Sequence, residues 1–431
     1  MLNMRVTACT TLVVALLAVT PLGLSAQQTR ADSLEARIRQ LEARLDSLLT
    51  EMARGRADSA AKAAAAELEA LRAAARAAAG EQEQDTTGAS RTRNLSILNP
   101  EISVTGDILG LYVAPPGESD YVTAVPREFE FAFQADLDPY TRTKIFVAYE
   151  NEFEIAGLPE EEEGEEGEHE HPPVEIEEGY IYWVGLPGFG LKAGKFRQQI
   201  GLYNRWHTHA LFEVDRPLPA VAFLGDDGLI QTGLSVVLPT FSLGPSTQTF
   251  TLELARGSNE ALFEASNRIS FLGNFTSFWD LSPASYLQLG ATAVYGENTD
   301  VALQSRLLQL DISYRWRPPG RGLYRDFTLK GEWYFAKQDY GDEKPTGDGG
   351  YVQANYRLNR RWVLGARADY LAFYGDEPEI LQLVPTITWW QSEWVRLRLQ
   401  YNYVKPNDGA AGHTVIAQVV WAVGPHKHET Y

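Results

Sequence analysis

The sequence predicts an all-β transmembrane barrel of about sixteen antiparallel strands, preceded by an N-terminal α-helical coiled coil. Three observations lead to this expectation. The 431-residue chain opens with a basic and then apolar segment, continues with a heptad stripe, and after Asn94 alternates apolar and polar residues with a period of two. A change from a helical to a strand period within one chain indicates two differently built regions.

The first 26 residues have the three parts of a secretory signal peptide. Met1–Arg5 is short and basic, Leu12–Leu17 is apolar, and Gly23–Ala26 supplies small residues before an expected cleavage after Ala26. The apolar run is too short to cross a bilayer as a helix. The single cysteine, Cys9, lies in this segment, so the mature chain has no thiol for a disulfide or for catalysis.

Residues 27–80 have the pattern of a short periplasmic coiled coil. Apolar residues recur at alternating spacings of four and three, at Leu34, Ile38, Leu41, Leu45, Leu48 and Met52. A single solvated helix is the alternative, because three heptads are few and an isolated amphipathic helix is marginal without a partner. Residues 81–94 are polar and predict a linker to the barrel, which is expected over 95–431.

The segment Arg306–Arg317 is the clearest example of the period of two. One face carries Leu308, Leu310 and Ile312, and the other carries Gln309, Asp311 and Ser313. Most segments of this kind run for about ten to thirteen residues, which is long for a soluble sheet and suits a tilted membrane strand. A soluble sandwich or propeller would instead need a second sheet to bury the apolar faces.

Sixteen such segments are present, an even number as bacterial single-chain barrels require. They are 102–114, 128–138, 141–155, 175–186, 190–201, 227–239, 247–258, 268–282, 285–298, 306–318, 325–338, 349–359, 362–375, 380–391, 394–405 and 413–424. Short and long connections alternate along most of the chain. This alternation predicts periplasmic turns, external loops and a periplasmic N-terminal helix in the outer membrane of a Gram-negative-type bacterium.

The lumen of so wide a barrel should hold water, so inward side chains would set selectivity. Early strands project acidic residues at Glu128, Glu130, Glu150, Glu152 and Glu154. Late strands project basic residues at Arg315, Arg317, Lys330, Arg357, Arg367, Arg396 and Arg398. Two arcs of opposite sign predict a transverse field across the pore. The alternative is that these charges pair with each other or lie in wide, screened vestibules.

Residues 202–226 form the connection most suited to shape a constriction. This segment is too apolar for a free external loop, so we expect it to fold into the lumen or to act as a lid. Trp206, Asp215 and Arg216 are its candidate constriction residues.

Three stretches resemble the phosphate-selective porin O and P family. They are KAGKFRQQIGLYN at 192–204, FEVDRPL at 212–218 and DDGLIQTG at 226–233. The opening NPEISVTG at 99–106 and the acidic loop look like a branch of that group labelled as zinc-regulated outer-membrane receptors. The resemblance implies a sixteen-stranded porin, often a homotrimer, with a periplasmic coiled coil in some members. Phosphate selectivity does not carry over, because the predicted wall is mixed rather than a ladder of basic residues.

A TonB-dependent receptor is not supported. Receptors of that kind need about 22 strands around a folded plug. The first hundred residues here offer only a signal, helices and a linker.

The acidic run at 160–173 raises the question of a metal site. It supplies eight negative charges towards the formal net charge of −19, and it contains His169 and His171 with Glu168 and Glu170 beside them. A second pair, His207 and His209, lies in the next external connection. Side chains at i and i+2 of an extended segment share a face, so the four imidazoles could bind Zn²⁺ or another divalent cation. A solvated loop without a defined site is the alternative.

The residues favour a channel over an enzyme. No pairing of serine or cysteine with histidine, Gly-rich phosphate loop or CxxC cluster is evident in the sequence. The expected function is passive diffusion of small hydrophilic solutes through a water-filled lumen, with membrane lipid as the surrounding partner and no required cofactor. The alternatives are binding or uptake of a divalent metal at the external loops, and a structural barrel whose helix associates with itself or with the cell wall.

Overall fold

The computed structural model describes residues 100–158, 174–299, 303–338, 346–373 and 379–424. The predicted signal peptide, coiled coil and linker and the acidic run lie outside these residues. Within the described ranges, no helix is long and apolar enough to cross a membrane.

Seventeen strands lie in one antiparallel sheet among the described residues. They are β1 (Glu101–Ala114), β2 (Tyr121–Asp138), β3 (Thr141–Glu150), β4 (Val174–Trp183), β5 (Gly190–Arg197), β6 (Ile230–Val237), β7 (Phe241–Leu243), β8 (Ser246–Arg256), β9 (Ile269–Ser282), β10 (Ser285–Glu297), β11 (Gln304–Trp316), β12 (Asp326–Lys337), β13 (Thr346–Arg357), β14 (Trp362–Phe373), β15 (Ile380–Trp390), β16 (Val395–Pro406) and β17 (Gly412–Val423).

The sheet closes on itself, because β1 pairs with both β2 and β17. Strands β6 and β7 both pair with β8, and they are separated only by three residues that include Pro239. Proline lacks a backbone donor and so interrupts the ladder at this point. Counting β6 and β7 as one interrupted strand gives sixteen wall positions. The predicted sixteen-strand antiparallel barrel is therefore confirmed.

Apolar side chains of the barrel face outward and polar side chains face the interior, which is the reverse of a soluble protein. On β11, Leu308, Leu310 and Ile312 are 44%, 44% and 45% exposed. Their neighbours Gln309 and Asp311 are 0% and 7% exposed. An apolar outer face and a polar inner wall are what a barrel needs when lipid surrounds it.

The two largest differences from the predicted strand boundaries have local reasons. β2 begins at Tyr121 rather than at residue 128, since its first residues pair with β1 beyond a bulge at Asp107 and Leu109. β3 ends at Glu150 rather than at residue 155. The chain then leaves the ladder and turns towards β17, where the N–H of Ala156 donates to Thr414 Oγ1 at 3.0 Å.

In the part of the chain that the structure describes, three short helical elements are present, and all lie in the longer connections. A 3₁₀ turn (Thr208–Ala210) and helix α1 (Leu218–Leu224) belong to the connection between β5 and β6. Helix α2 (Glu260–Phe263) lies between β8 and β9, with the side chain of Asn259 capping its N-terminus. Phe223 of α1 and Phe263 of α2 lie in one buried apolar cluster with lumen-side residues of β9 to β12 and β14 to β16.

Candidate functional site

The connection between β5 and β6, residues 198–229, is folded into the barrel and is called the inward loop below. Tyr203, Leu211 and Val214 are 2%, 2% and 0% exposed. Polar backbone groups in such a position need partners, because water cannot reach them freely. Side chains of the lumen wall on both sides of the barrel provide those partners.

Glu332 on β12 fixes the start of the inward loop. Its Oε1 accepts hydrogen bonds from the backbone N–H groups of Leu202 at 2.8 Å and Tyr203 at 3.1 Å. The hydroxyls of Tyr334 and Tyr351 donate to the same carboxylate at 2.6 Å each. A buried carboxylate is tolerated where donors replace its water shell, so these four contacts make Glu332 a structural clamp.

Arg367 on β14 holds the middle of the inward loop. Its guanidinium donates to Asp215 Oδ2 at 2.7 Å and to Asp369 Oδ1 at 2.9 Å. Asp369 in turn accepts from the backbone N–H of Leu218, the first residue of α1, at 3.1 Å. The side chains of Arg367 and Asp369 are both 0% exposed. Buried charges of this kind are stable only as a paired and hydrogen-bonded set, so the loop and the wall depend on each other here.

Strand β16 contributes a third line of contacts. Arg398 donates to the carbonyl oxygen of Leu211 at 2.8 Å, and Arg396 donates to the carbonyl oxygen of His209. Further along the same strand, Gln400 accepts from the N–H of Val214 at 2.8 Å. Two of the predicted basic wall residues are thus committed to main-chain atoms of the inward loop.

His207 contacts another part of the wall, against β2 and β4. Its Nδ1 is 2.7 Å from Glu130 Oε2 and 3.0 Å from Glu177 Oε2. Its Nε2 is 2.8 Å from Glu178 Oε1, and the ring packs 4.4 Å from the ring of Phe146. Three carboxylates therefore surround a single buried imidazole.

His209 repeats this arrangement beside it. Its Nδ1 is 2.8 Å from Glu128 Oε1 and 3.9 Å from Glu130 Oε2. Burial acts to lower the pKa of both imidazoles, but the nearby carboxylates outweigh it and raise the pKa of His209 and, more strongly, that of His207.

Glu177 and Glu178 were not among the predicted site residues, and a β-bulge explains their position. β4 pairs Phe146 with Glu178 and Val147 with Ile176, so Glu177 is the extra residue. A bulge lets two successive side chains leave the strict alternation, and both glutamates are buried. The signal in the sequence is the adjacent acidic pair, which breaks the period of two that precedes it.

A cavity beside His207 carries more basic than acidic side chains. Its lining includes Lys144, Lys192, Arg197 and Arg205, with Glu178 as the acidic member. Arg197 is buried and donates to Glu177, whereas the other three cations are partly exposed. Positive charge therefore faces the accessible part of this cavity.

The inward loop also presents aromatic rings to a lysine of the wall. The ammonium of Lys330 lies 4.8 Å from the ring centroid of Phe212 and 5.5 Å from that of Trp206. Arg216 donates to the carbonyl oxygen of Trp206 at 3.0 Å and is buried. Two of the predicted constriction residues thus bond to each other within the loop, while Asp215 bonds to the wall.

The remaining predicted wall residues lie near strand ends. Arg315 pairs with Asp326 through Nε at 3.1 Å. Arg317 is exposed beyond the end of β11, and Arg357 is half-buried at the end of β13.

On the other arc, Glu150 ends β3 and is half-buried, while Glu152 and Glu154 follow the strand and are exposed. Glu154 accepts a hydrogen bond from the hydroxyl of Tyr121. Glu152 and Glu154 are not part of a β-strand, so they lie beside the barrel wall rather than in it.

Four of the predicted metal ligands lie outside the described residues. They are Glu168, His169, Glu170 and His171. Their convergence with His207 and His209 remains a prediction.

Comparison with known proteins gives a limited picture at the level of sequence. No family model matches the chain. A protein of Aquifex aeolicus (strain VF5), described as uncharacterized, is 26% identical over 226 residues, which cover 44% of this chain and 46% of that protein. The chain thus spans about half the length of the curated relative it matches.

Solved structures are similar over most of the barrel. An anion-selective porin from Comamonas acidovorans has a TM-score of 0.51 at 11% identity, over 75% of this chain and 99% of that chain. OprB of Pseudomonas putida has a TM-score of 0.53 at 10% identity, over 78% and 97%. The outer-membrane channel DcaP of Acinetobacter baumannii has a TM-score of 0.50 at 7% identity, over 76% and 98%. At these identities the likeness establishes a porin-like barrel fold.

Proposed function

We propose that the chain is an outer-membrane channel through which small hydrophilic solutes diffuse passively. The observation that carries this proposal is the inverted polarity of the barrel, with apolar side chains outside and polar side chains on the inner wall. A polar inner wall suits water and polar solutes, and it would be costly in the core of a soluble protein. The fold shared with three porin-type proteins supports the same conclusion.

The inward loop would set the size limit of this channel. It crosses the lumen between β2 and β4 on one side and β12 to β16 on the other. Its aromatic side chains narrow the accessible space next to Lys330.

We expect the channel to favour anions. Lys144, Lys192 and Arg205 are partly exposed on the lumen side, whereas Glu128 and Glu130 are buried against histidines. A narrow passage lined by one sign of charge concentrates the opposite ion. The anion-selective porin of the same fold supports this expectation. The field between the predicted acidic and basic arcs would add an orienting effect on dipolar solutes.

The finer assignments rest on the sequence resemblance. They are membership of the phosphate-selective porin O and P group without phosphate specificity, a homotrimer in the lipid of a Gram-negative-type outer membrane, and a periplasmic coiled coil over 27–80. Detergent-solubilised full-length protein would test the trimer by native mass measurement, with the chain lacking 27–80 as the control for the helix.

Single-channel recording in planar bilayers tests the channel itself. We expect discrete current steps, and a reversal potential in a salt gradient that indicates preference for chloride over potassium. Lys192→Gln combined with Arg205→Gln should move the reversal potential towards potassium. The exposed turn residue Arg321 offers a matched control, because Arg321→Gln removes a charge outside the lumen.

Absence of steps from the wild type, and also from a variant whose inward loop is released from the wall, would overturn the proposal of a channel. If current steps are seen but the reversal potential indicates potassium preference, and the double substitution does not change it, only the proposed anion preference would be overturned.

A further inference from the structure

The buried cluster around His207 and His209 has the donor set of a metal site. One donor atom each of Glu128, Glu130 and His209 lie within 4.8 Å of one another, and so do donor atoms of Glu130, Glu177 and His207. All five residues are buried. Glu130 belongs to both groups, so the cluster accommodates one cation bound by either group or a pair of cations bridged by Glu130.

The separations between the donor atoms fit ligands of a shared cation. At tetrahedral metal–ligand distances of about 2.0–2.2 Å, adjacent ligand atoms lie about 3.3–3.6 Å apart. The Nδ1 of His207 is 2.7 Å and 3.0 Å from its two glutamate oxygens, and the Nδ1 of His209 is 2.8 Å from Glu128 Oε1. Small outward shifts of the side chains would admit an ion.

The far nitrogen of His207 has the partner that a ligating histidine needs. Its Nε2 lies 2.8 Å from Glu178 Oε1, and Glu178 Oε2 accepts the backbone N–H of Arg197 at 3.1 Å. Histidine ligands of metals typically donate their second ring N–H to a carboxylate, which fixes the tautomer and orients the ring. Glu178 occupies this supporting position, and Arg197 holds it in place.

Two buried carboxylate oxygens at this cluster have no hydrogen-bond donor, which indicates a place for a cation between them. Glu128 Oε2 and Glu150 Oε1 are buried with no hydrogen-bond donor within range. Glu128 is 1% exposed, and donor atoms of Glu128, Glu150 and Glu177 lie within 4.8 Å of one another. Carboxylates packed this closely repel each other unless a cation or shared protons lie between them.

We infer that Glu128, Glu130, Glu177, His207 and His209 form a binding site for a divalent transition-metal cation. Imidazole mixed with carboxylate suits Zn²⁺, Mn²⁺, Co²⁺ or Ni²⁺ better than Ca²⁺ or Mg²⁺, which prefer oxygen alone. The histidines come from the inward loop and the glutamates from β2 and β4, so the cation joins the loop to the wall. This inference goes beyond diffusion, because a barrel can conduct with or without such an ion.

Metal binding to the intact protein tests the inference without reference to conduction. Full-length protein in detergent would be stripped with EDTA and titrated with Zn²⁺ by calorimetry against a competing chelator. We expect one or two equivalents to bind tightly, and Ca²⁺ not to compete. The combined change of His207→Ala and His209→Ala should weaken tight binding by at least about 100-fold. His413→Ala is the control and should leave binding unchanged, because His413 lies on β17 and contacts Tyr401 rather than the cluster.

Two further measurements protect the test against misfolded variants. Glu178→Gln keeps the size of the side chain and should weaken binding by about 10- to 100-fold. X-ray absorption of the wild type loaded with Zn²⁺ should show imidazole among nitrogen and oxygen ligands. Failure to bind, a coordination shell without imidazole, or unchanged tight binding after loss of both histidines would overturn the inference and leave an imidazolium–carboxylate cluster.

Discussion

Replacing Arg367 with methionine should release the middle of the inward loop from the wall. Methionine keeps an unbranched, flexible side chain, although a shorter one, and removes the guanidinium that donates to Asp215 and Asp369. Both carboxylates would then remain in a buried site without their cation. Removing one partner of a buried ion pair costs about 3–5 kcal/mol, because the remaining charge is neither solvated nor paired.

The cost should appear as local opening of the loop. Each 1.4 kcal/mol is about a tenfold change in an equilibrium constant, so the opening equilibrium should shift by roughly 10²- to 4 × 10³-fold. Hydrogen–deuterium exchange measured by mass spectrometry reports this directly, because Val214 and Leu218 donate their amides to wall side chains. Peptides covering 211–218 should exchange faster by that factor in micelles.

Arg315→Met is the matched control, because Arg315 forms an ion pair of the same type away from the inward loop. Its side chain is 34% exposed, so we expect a loss of only about 0–1 kcal/mol and unchanged exchange in the loop. Adding Asp369→Asn to Arg367→Met should restore part of the protection, since it removes one uncompensated charge. Equal exchange over 211–218 in Arg367→Met and in the control would refute the proposed anchoring.

Three further predictions concern the wall. Glu332→Ala should accelerate exchange at the start of the inward loop by at least about tenfold, because it removes an acceptor for two backbone N–H groups there. Gly194→Ala should lower the free energy of unfolding in urea by about 2–5 kcal/mol, since the backbone has φ +138° and a Cβ would lie 2.2 Å from the carbonyl oxygen of Gly179. Gly244→Ala, at φ +61° with open space around it, should cost only about 1–2 kcal/mol, and equal losses would contradict the steric argument. Leu310→Lys on the lipid face should cost about 2–4 kcal/mol in the same assay, and a neutral result would contradict the assignment of that face.

The fold could be predicted from the sequence because each barrel strand carries its own signal. Alternation on β11 assigns Leu310 outward and Gln309 inward from the residues alone, and the exposures agree. Alternation fails where the ladder is irregular. The bulge that turns both Glu177 and Glu178 inward depends on pairing with β3, which a single segment does not encode.

The cluster around His207 and His209 was also predicted only in part, and the cause is a different one. His207 and His209 were identified as candidate ligands from their spacing, but their described partners come from strands that are far away in sequence. The period of two shows on which face of a strand a residue lies. It does not show which wall residues a long connection contacts inside the lumen. The inward loop reaches β2, β4 and β12 to β16 through contacts that no local pattern records.

The polar side chains of the inner wall hydrogen-bond to the inward loop, in addition to lining the space for a solute. A largely irregular segment inside a barrel must satisfy its backbone groups, and Glu332, Gln400 and Arg398 provide the missing donors and acceptors. Arg398 keeps its charge, but it is only 4% exposed, so a passing ion cannot reach it. Selectivity should therefore depend on Lys192 and Arg205, which remain partly exposed, and only indirectly on the larger charged arcs from which the transverse field was predicted.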